Sequence, residues 1–159
     1  MPKRVPKRYG LLLAALLAII LGSLLIRQRL SAEAVGQSAL LFSYVTNRAG
    51  FDTGVAISNV SLNKFGAAER PGVCSIFYYG TTLGGGPAPV PQRTQFIFPG
   101  SQLVFTLSGG GNGLSATPSF EGYIIAVCDF PVARGVSFVS DLGLRKFFAP
   151  IPAKVIPAF

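Results

Sequence analysis

From about residue 39 onward, the chain is a series of short hydrophobic runs rich in Val, Ile, Phe, Tyr and Thr, separated by Gly, Pro, Asn and Ser. β-Branched and aromatic residues favour strands, whereas glycine and proline favour the turns between them. The runs lack the period of an amphipathic helix. This region is therefore predicted to be all-β, with its strands arranged as an antiparallel sandwich or barrel.

Eight strands are predicted in this region. They cover residues 40–46, 53–60, 73–79, 94–98, 102–107, 121–130 and 135–140, with a last one near 153–156. Several alternate apolar and polar residues, as half-buried strands do. Residues 123–127 are apolar on both faces and are expected to form a central strand. Residues 47–50 predict a tight turn, and the stretches 82–91 and 108–113 predict loops without a phosphate-binding motif.

An export segment is predicted at the N-terminus. A basic stretch, residues 2–8, precedes an uninterrupted apolar run over residues 11–26. Because basic residues stay on the cytoplasmic side of a membrane, the chain that follows this hydrophobic helix is expected to be exported. Ala32 and Ala34 supply the small residues of a signal-peptide site, which predicts cleavage after Ala34. The alternative is an uncleaved membrane anchor, because the run approaches the roughly 20 residues that span a bilayer.

The chain accordingly divides into three parts. Residues 1–34 are a signal peptide or membrane anchor, residues 35–143 are the β-sandwich domain, and residues 144–159 are an apolar, proline-spaced tail. The prolines prevent a helix in the tail and limit its pairing in a sheet. We expect the tail either to pack along a sheet edge or to add as a strand to a neighbouring subunit.

Composition excludes several classes of chemistry. The chain has no histidine, so serine–histidine and cysteine–histidine mechanisms and histidine zinc sites lack a required residue. The formal net charge is +8, but most of the excess lies in residues 1–34 and the other basic residues are scattered. Nucleic-acid binding needs a clustered basic surface and is not expected. No cofactor and no metal site are predicted.

The only cysteines, Cys74 and Cys128, each lie within a predicted strand. In an exported chain, an isolated pair of cysteines predicts an intramolecular disulfide, and the alternative is two reduced, buried thiols. A reactive thiol is disfavoured because the chain has neither a histidine to activate it nor a Cys-x-x-Cys pair.

The carboxylates predict no catalytic site. Glu121 and Asp129 stand at the two ends of one predicted strand, too far apart for a glycosidase pair. The triplet Asp52-Thr53-Gly54 matches that of aspartic proteases, but it occurs only once. Asp52 is therefore expected to be a turn residue that bonds to its own backbone.

Aromatic residues are the remaining candidates, with 13 Phe, 5 Tyr and no Trp. Tyr78, Tyr79, Phe147 and Phe148 form two adjacent pairs that are candidates for a ligand or partner surface, for example by stacking on a sugar. The competing role, and the more common one for strand aromatics, is to fill a core.

Five segments of the chain carry a resemblance to a known family. They are Val45-Thr46-Asn47, Gly50 to Asn59, Cys74 to Gly80, Gly122 to Cys128 and Phe138 to Asp141. Together they resemble a domain found in uncharacterised exported bacterial proteins, and the resemblance covers most of residues 40–143. It implies an extracytoplasmic immunoglobulin-like β-sandwich, often attached to larger surface proteins, without an established activity. No catalytic residues can be carried over from this family.

The sequence thus predicts an exported, non-enzymatic all-β protein, an antiparallel immunoglobulin-like β-sandwich with a structural or adhesive role at the bacterial surface or in the periplasm. One alternative is a subunit of an extracellular filament assembled by strand addition. Another is a carbohydrate-binding or carboxylate-dependent hydrolytic domain. The expected partners are further copies of the chain, other cell-surface proteins or glycans, and the membrane only through residues 11–26 if these remain uncleaved.

Overall fold

The computed structural model describes residues 37–61, 70–141 and 150–157. The predicted N-terminal helix and the Phe147-Phe148 pair lie outside these residues. The described chain is all-β apart from one short 3-10 turn, Leu83–Gly85. None of its helical segments is long and apolar enough to cross a membrane.

The described residues form two antiparallel sheets, which confirms the prediction of a β-sandwich. The strands are β1 (Ser38–Thr46), β2 (Phe51–Asn59), β3 (Cys74–Thr81), β4 (Gln92–Arg93), β5 (Gln102–Thr106), β6 (Glu121–Cys128), β7 (Ala133–Asp141), β8 (Ile151–Pro152) and β9 (Lys154–Ile156). The five-stranded sheet has the order β4-β3-β6-β1-β9, and the four-stranded sheet has the order β5-β2-β7-β8. Strand β6 is central in its sheet, as its two apolar faces predict.

One predicted strand is wrong, because residues 94–98 form a connection between the sheets. After β4, the backbone N–H of Thr94 donates a hydrogen bond to the Cys74 carbonyl at 3.0 Å. Further along, Ile97 forms an isolated bridge with Gly72. Of the three hydrophobic side chains in the segment, only Ile97 is buried, and no continuous ladder forms. The short strand β8 was not predicted, because proline disfavours sheet pairing.

Alternate residues of both sheets meet in the core, as the period of two predicts. The largest fully buried side chains include Phe42, Phe120 and Phe130. Burying one such ring stabilises the fold by roughly 1.5–3 kcal/mol. Gly135 makes room for the first of them, because a Cβ atom there would lie 2.6 Å from the Phe42 ring.

The predicted disulfide between Cys74 and Cys128 is present, with an S–S distance of 2.03 Å. The two cysteines are directly opposite each other on the neighbouring strands β3 and β6, and both are fully buried. The bond thus joins two strands of the same sheet, and the alternative of two reduced thiols is wrong.

The C-terminal tail packs along the edges of both sheets. Ile151 and Pro152 of β8 pair with β7, and Lys154 to Ile156 of β9 pair with the first half of β1. Between them, the backbone N–H of Ala153 donates to the Gly135 carbonyl at 2.9 Å. The tail therefore covers two exposed strand edges of its own chain, and edges of this kind otherwise invite pairing with other chains.

The two ends of the sandwich are called the turn end and the entry end. At the turn end, residues 47–50 connect β1 to β2, and the backbone N–H of Phe51 donates to the Arg48 carbonyl at 2.9 Å. Ala49 and Gly50 have positive φ angles of 55° and 81°, as a tight turn requires, so the predicted turn is confirmed. At the entry end, the chain enters the sandwich at Ser38.

Candidate functional site

The carboxylate of Asp52 is used to fix a loop. Asp52 is a buried residue of β2 and accepts hydrogen bonds from the backbone N–H groups of Thr53 at 2.9 Å and Ser108 at 3.1 Å. The Ser108 hydroxyl donates a further bond to the same carboxylate. The expected bond to neighbouring backbone is therefore present, but the expected turn is wrong, because Asp52 lies in a strand. Its carboxylate also holds the loop that follows β5.

Asp129 and Glu121 lie at opposite ends of β6, as the sequence predicts. Asp129 accepts a hydrogen bond from the backbone N–H of Val73 at 2.6 Å and lies 3.9 Å from the guanidinium of Arg93. Glu121 lies 3.8 Å from the guanidinium of Arg48. Among the residues that the structure describes, no three Cys, Asp or Glu side chains are grouped to hold a metal ion.

Arg48 ties together three segments at the turn end. Its Nε donates to the Ser119 carbonyl at 2.8 Å, and its Nη2 donates to the Thr81 carbonyl at 2.6 Å. The neighbouring Asn47 side chain accepts a hydrogen bond from the backbone N–H of Phe120 at 2.7 Å. These polar side chains form hydrogen bonds with backbone groups of the loops. Their role is therefore structural, and they are not available for a ligand.

The outer face of the five-stranded sheet carries a pair of stacked tyrosines. Tyr79 of β3 and Tyr123 of β6 are direct partners in the sheet. Their ring centroids are 4.9 Å apart and their planes differ by 8°. The two side chains are 42% and 40% exposed, so a stacked aromatic pair is open to solvent.

Apolar side chains extend this surface along the same sheet. Phe77 pairs with Ile125 on one side of β6, and Leu41 pairs with Ile125 on the other side. Because residues two positions apart share a face, these three side chains lie on the same face as the tyrosines. We call the surface formed by Leu41, Phe77, Tyr79, Tyr123 and Ile125 the aromatic face.

The structure separates the two adjacent tyrosines of β3. Tyr78 points into the core, where its ring meets Phe120 edge to face with centroids 5.6 Å apart, whereas Tyr79 points outward. Phe147 and Phe148 lie outside the described residues. Sequence analysis missed Tyr123, because the register that places it beside Tyr79 joins residues far apart in the chain. The sequence did contain one signal. Tyr123 begins the run 123–127, which is apolar on both faces, so alternate side chains of that strand must point away from the core.

Tyr78 provides a prediction about pH. Burial raises the pKa of Tyr78 from 10.0 to about 12. As pH rises from about 10 towards 12, the unfolded chain loses this proton before the folded protein does, so the free energy of unfolding is expected to fall, by about 2 kcal/mol at most. Urea titrations between about pH 9 and about pH 11.5 measure this change. Tyr78→Phe is the control, and an equally steep loss of stability in that variant would contradict the assignment.

A second apolar feature lies on the side of the sandwich towards β8. Tyr44, Thr46, Phe51, Val139 and Ile151 line a cleft of about 210 Å³. The Thr46 hydroxyl already accepts a hydrogen bond from the Arg48 backbone N–H at 3.1 Å. The described lining therefore offers mainly hydrophobic contact.

Comparisons of the chain with protein-family models, with curated proteins and with solved structures gave no match. Function is therefore inferred from the geometry of the described residues.

Proposed function

We propose that this protein is an exported, non-enzymatic β-sandwich with a structural or adhesive role, and that the aromatic face is its contact surface. The observation that carries the proposal is the stacked pair Tyr79 and Tyr123, each about two-fifths exposed. Tyrosine combines a large apolar ring with a polar tip and is enriched in protein interfaces. Contact with a partner would remove this apolar surface from water.

Two features support export. A disulfide such as that between Cys74 and Cys128 is typical of proteins in oxidising compartments, for example the periplasm and the cell exterior. The basic and apolar stretches at the N-terminus are typical of segments that direct a chain across a membrane.

The non-enzymatic role is supported by how the reactive groups are used. Histidine is absent from the chain, and both cysteines are consumed by the disulfide. The carboxylates of Asp52 and Asp129 accept hydrogen bonds from backbone N–H groups. A general acid or base needs access to a substrate proton, and these two groups are already engaged in holding loops.

The immunoglobulin-like assignment is proposed from four strands, β2, β5, β3 and β6. Pairing of β2 with β5 and of β3 with β6 corresponds to the B–E and C–F pairs of immunoglobulin domains. The first and seventh strands exchange sheets relative to that order, because β1 lies beside β6 and β7 lies beside β2. The domain would therefore be a variant of that class, with its disulfide inside one sheet.

The proposal is tested by adhesion. Microspheres coated with the full chain are incubated with cells of the bacterium that produces it, and bound spheres are counted. Tyr79→Ser and Tyr123→Ser are each expected to weaken adhesion about tenfold, since exposed aromatic anchors commonly contribute more than 1 kcal/mol to an interface. Tyr44→Ser is the matched control, because Tyr44 is 45% exposed but lines the cleft. Unchanged adhesion in both tyrosine variants, with native circular dichroism, would overturn the proposed contact surface.

The two alternative functions make different demands. A carbohydrate-binding domain predicts signals on a glycan array that are lost in Tyr79→Ser. A filament formed by donation of the tail requires β8 and β9 to leave the strand edges that they cover within their own chain. Heat-resistant polymers that grow with protein concentration would favour the filament.

A further inference from the structure

Two phenylalanines in the connection after β4 are unusually exposed. Phe96 is 67% exposed and Phe98 is 63% exposed, which makes them the most exposed aromatic side chains in the part of the chain that the structure describes. Between them, Ile97 is buried, so the extended backbone directs both rings away from the core. Two such rings side by side are a candidate for insertion into an apolar environment.

The pair lies at the entry end of the sandwich. Ile97 bridges to Gly72, just before β3 begins at Cys74. Cys74 is opposite Cys128, which is in turn opposite Ser38. At the usual spacing of neighbouring strands, the start of β1 is roughly 10 Å from the start of β3. The exposed phenylalanines are thus at the end where the chain enters the domain.

Charge is distributed unequally between the two ends. At the entry end, the charged residues that the structure describes are three exposed arginines and one aspartate: Arg70, Arg93, Arg134 and Asp129. At the turn end, they are three carboxylates and one arginine: Asp52, Glu121, Asp141 and Arg48. Among these described residues, the entry end has three positive and one negative side chain, and the turn end has one positive and three negative. The remaining described charge, Lys154, lies opposite Leu41 between the two ends.

We infer that the entry end docks on an anionic lipid surface, with Phe96 and Phe98 inserted at the interface. Aromatic side chains favour the boundary between headgroups and acyl chains, and exposed arginines such as Arg70 and Arg134 attract anionic headgroups. The carboxylates described at the turn end, Glu121 and Asp141, would be repelled by the same surface. The dock orients the sandwich with its turn end away from the lipid.

The short distance along the chain between the apolar run 11–26 and β1 favours lipid over other apolar partners. Only residues 27–37 separate the apolar run 11–26 from β1, and an extended segment of this length reaches at most about 40 Å. A run of this kind in a bilayer would keep the entry end within about 40 Å of that bilayer. This step rests on the proposed export segment, whereas the vesicle experiment below does not depend on passage through the export machinery.

The absence of tryptophan from the chain allows a direct test. Phe98→Trp introduces a single tryptophan at the entry end, and Leu83→Trp introduces one beyond the end of β3, at the turn end, where Leu83 is 76% exposed. Each full-length variant is reconstituted into vesicles that contain anionic and brominated lipids. We expect quenching by brominated lipid to be about threefold stronger for the Phe98→Trp variant, with blue-shifted emission, since its ring would lie at the interface.

The basic residues provide a second measurement. Arg70→Gln and Arg134→Gln, made together in the Phe98→Trp chain, are expected to lower the ratio of docked to undocked protein by about 30-fold, as does replacement of anionic by zwitterionic lipid. Equal quenching of the two tryptophans by brominated lipid would overturn the inference. A second result would also overturn the inference. If burial of the Phe98→Trp side chain depended on protein concentration and not on lipid charge, a second copy of the chain would be what covers it. Neither result affects the adhesion test of Tyr79 and Tyr123.

Discussion

Replacing both cysteines, as Cys74→Ala with Cys128→Ala, is expected to lower the free energy of unfolding by about 4 kcal/mol. The bond joins residues separated by 54 positions, and a cross-link of this span removes much of the conformational freedom of the unfolded chain. Domains of this size are stable by only about 5–15 kcal/mol. Chemical denaturation of the oxidised protein and of the variant measures the difference.

The burial of the disulfide supplies the control for this prediction. Both cysteines are fully buried, so a reductant and an alkylating agent should leave them unmodified in the folded protein and modify both after unfolding. The intact mass of protein recovered from the cell envelope, with and without reductant, reports the same bond and the predicted cleavage after Ala34. Two thiols that react readily without denaturant would contradict the buried cross-link.

Gly122→Ala is expected to destabilise the protein by about 3 kcal/mol, because the site has no room for a side chain and an unfavourable backbone angle. A Cβ atom at Gly122 would lie 2.0 Å from the Tyr79 carbonyl oxygen on the neighbouring strand. Its φ angle of +158° is also one that L-residues rarely adopt. Denaturant titration measures the loss, and near-ultraviolet circular dichroism reports the stacking of Tyr79 on Tyr123.

Gly109→Ala is the matched control for this substitution. A Cβ atom there would meet only the Thr106 hydroxyl at 3.0 Å, and a hydroxyl can move where backbone cannot. The change in unfolding free energy should stay below about 1 kcal/mol. If the two alanine variants were equally stable, the close approach of β3 and β6 at Gly122 would be contradicted.

Much of the fold could be predicted from the local sequence pattern. Strands such as β5 alternate inward Leu103 and Phe105 with outward Val104, and this period follows directly from strand geometry. The disulfide was also predictable, because a chain with two cysteines has one intramolecular pairing available. By contrast, residues 94–98 have the hydrophobicity of a strand but serve as a connection, since pairing depends on which backbone groups come to lie alongside them.

The aromatic face, likewise, could be predicted from the sequence only in part. Tyr79 was identified from the sequence, but it was paired there with its neighbour Tyr78, which the strand pleat turns into the core. Its actual partner is Tyr123, which the register of β3 against β6 brings within stacking distance. Register links residues that are distant in the chain, and it is set by the packing of both sheets rather than by the local residues.

The sequence by itself determined the all-β class, most of the strands, the tight turn at residues 47–50 and the single disulfide, because each follows from local conformational preference or from counting. Only the tertiary structure decided the strand order, the stacking of Tyr79 on Tyr123, the coverage of two sheet edges by the tail and the separation of charge between the two ends. These features depend on contacts between residues far apart in the chain, and such contacts form only when the sheets pack around a common core.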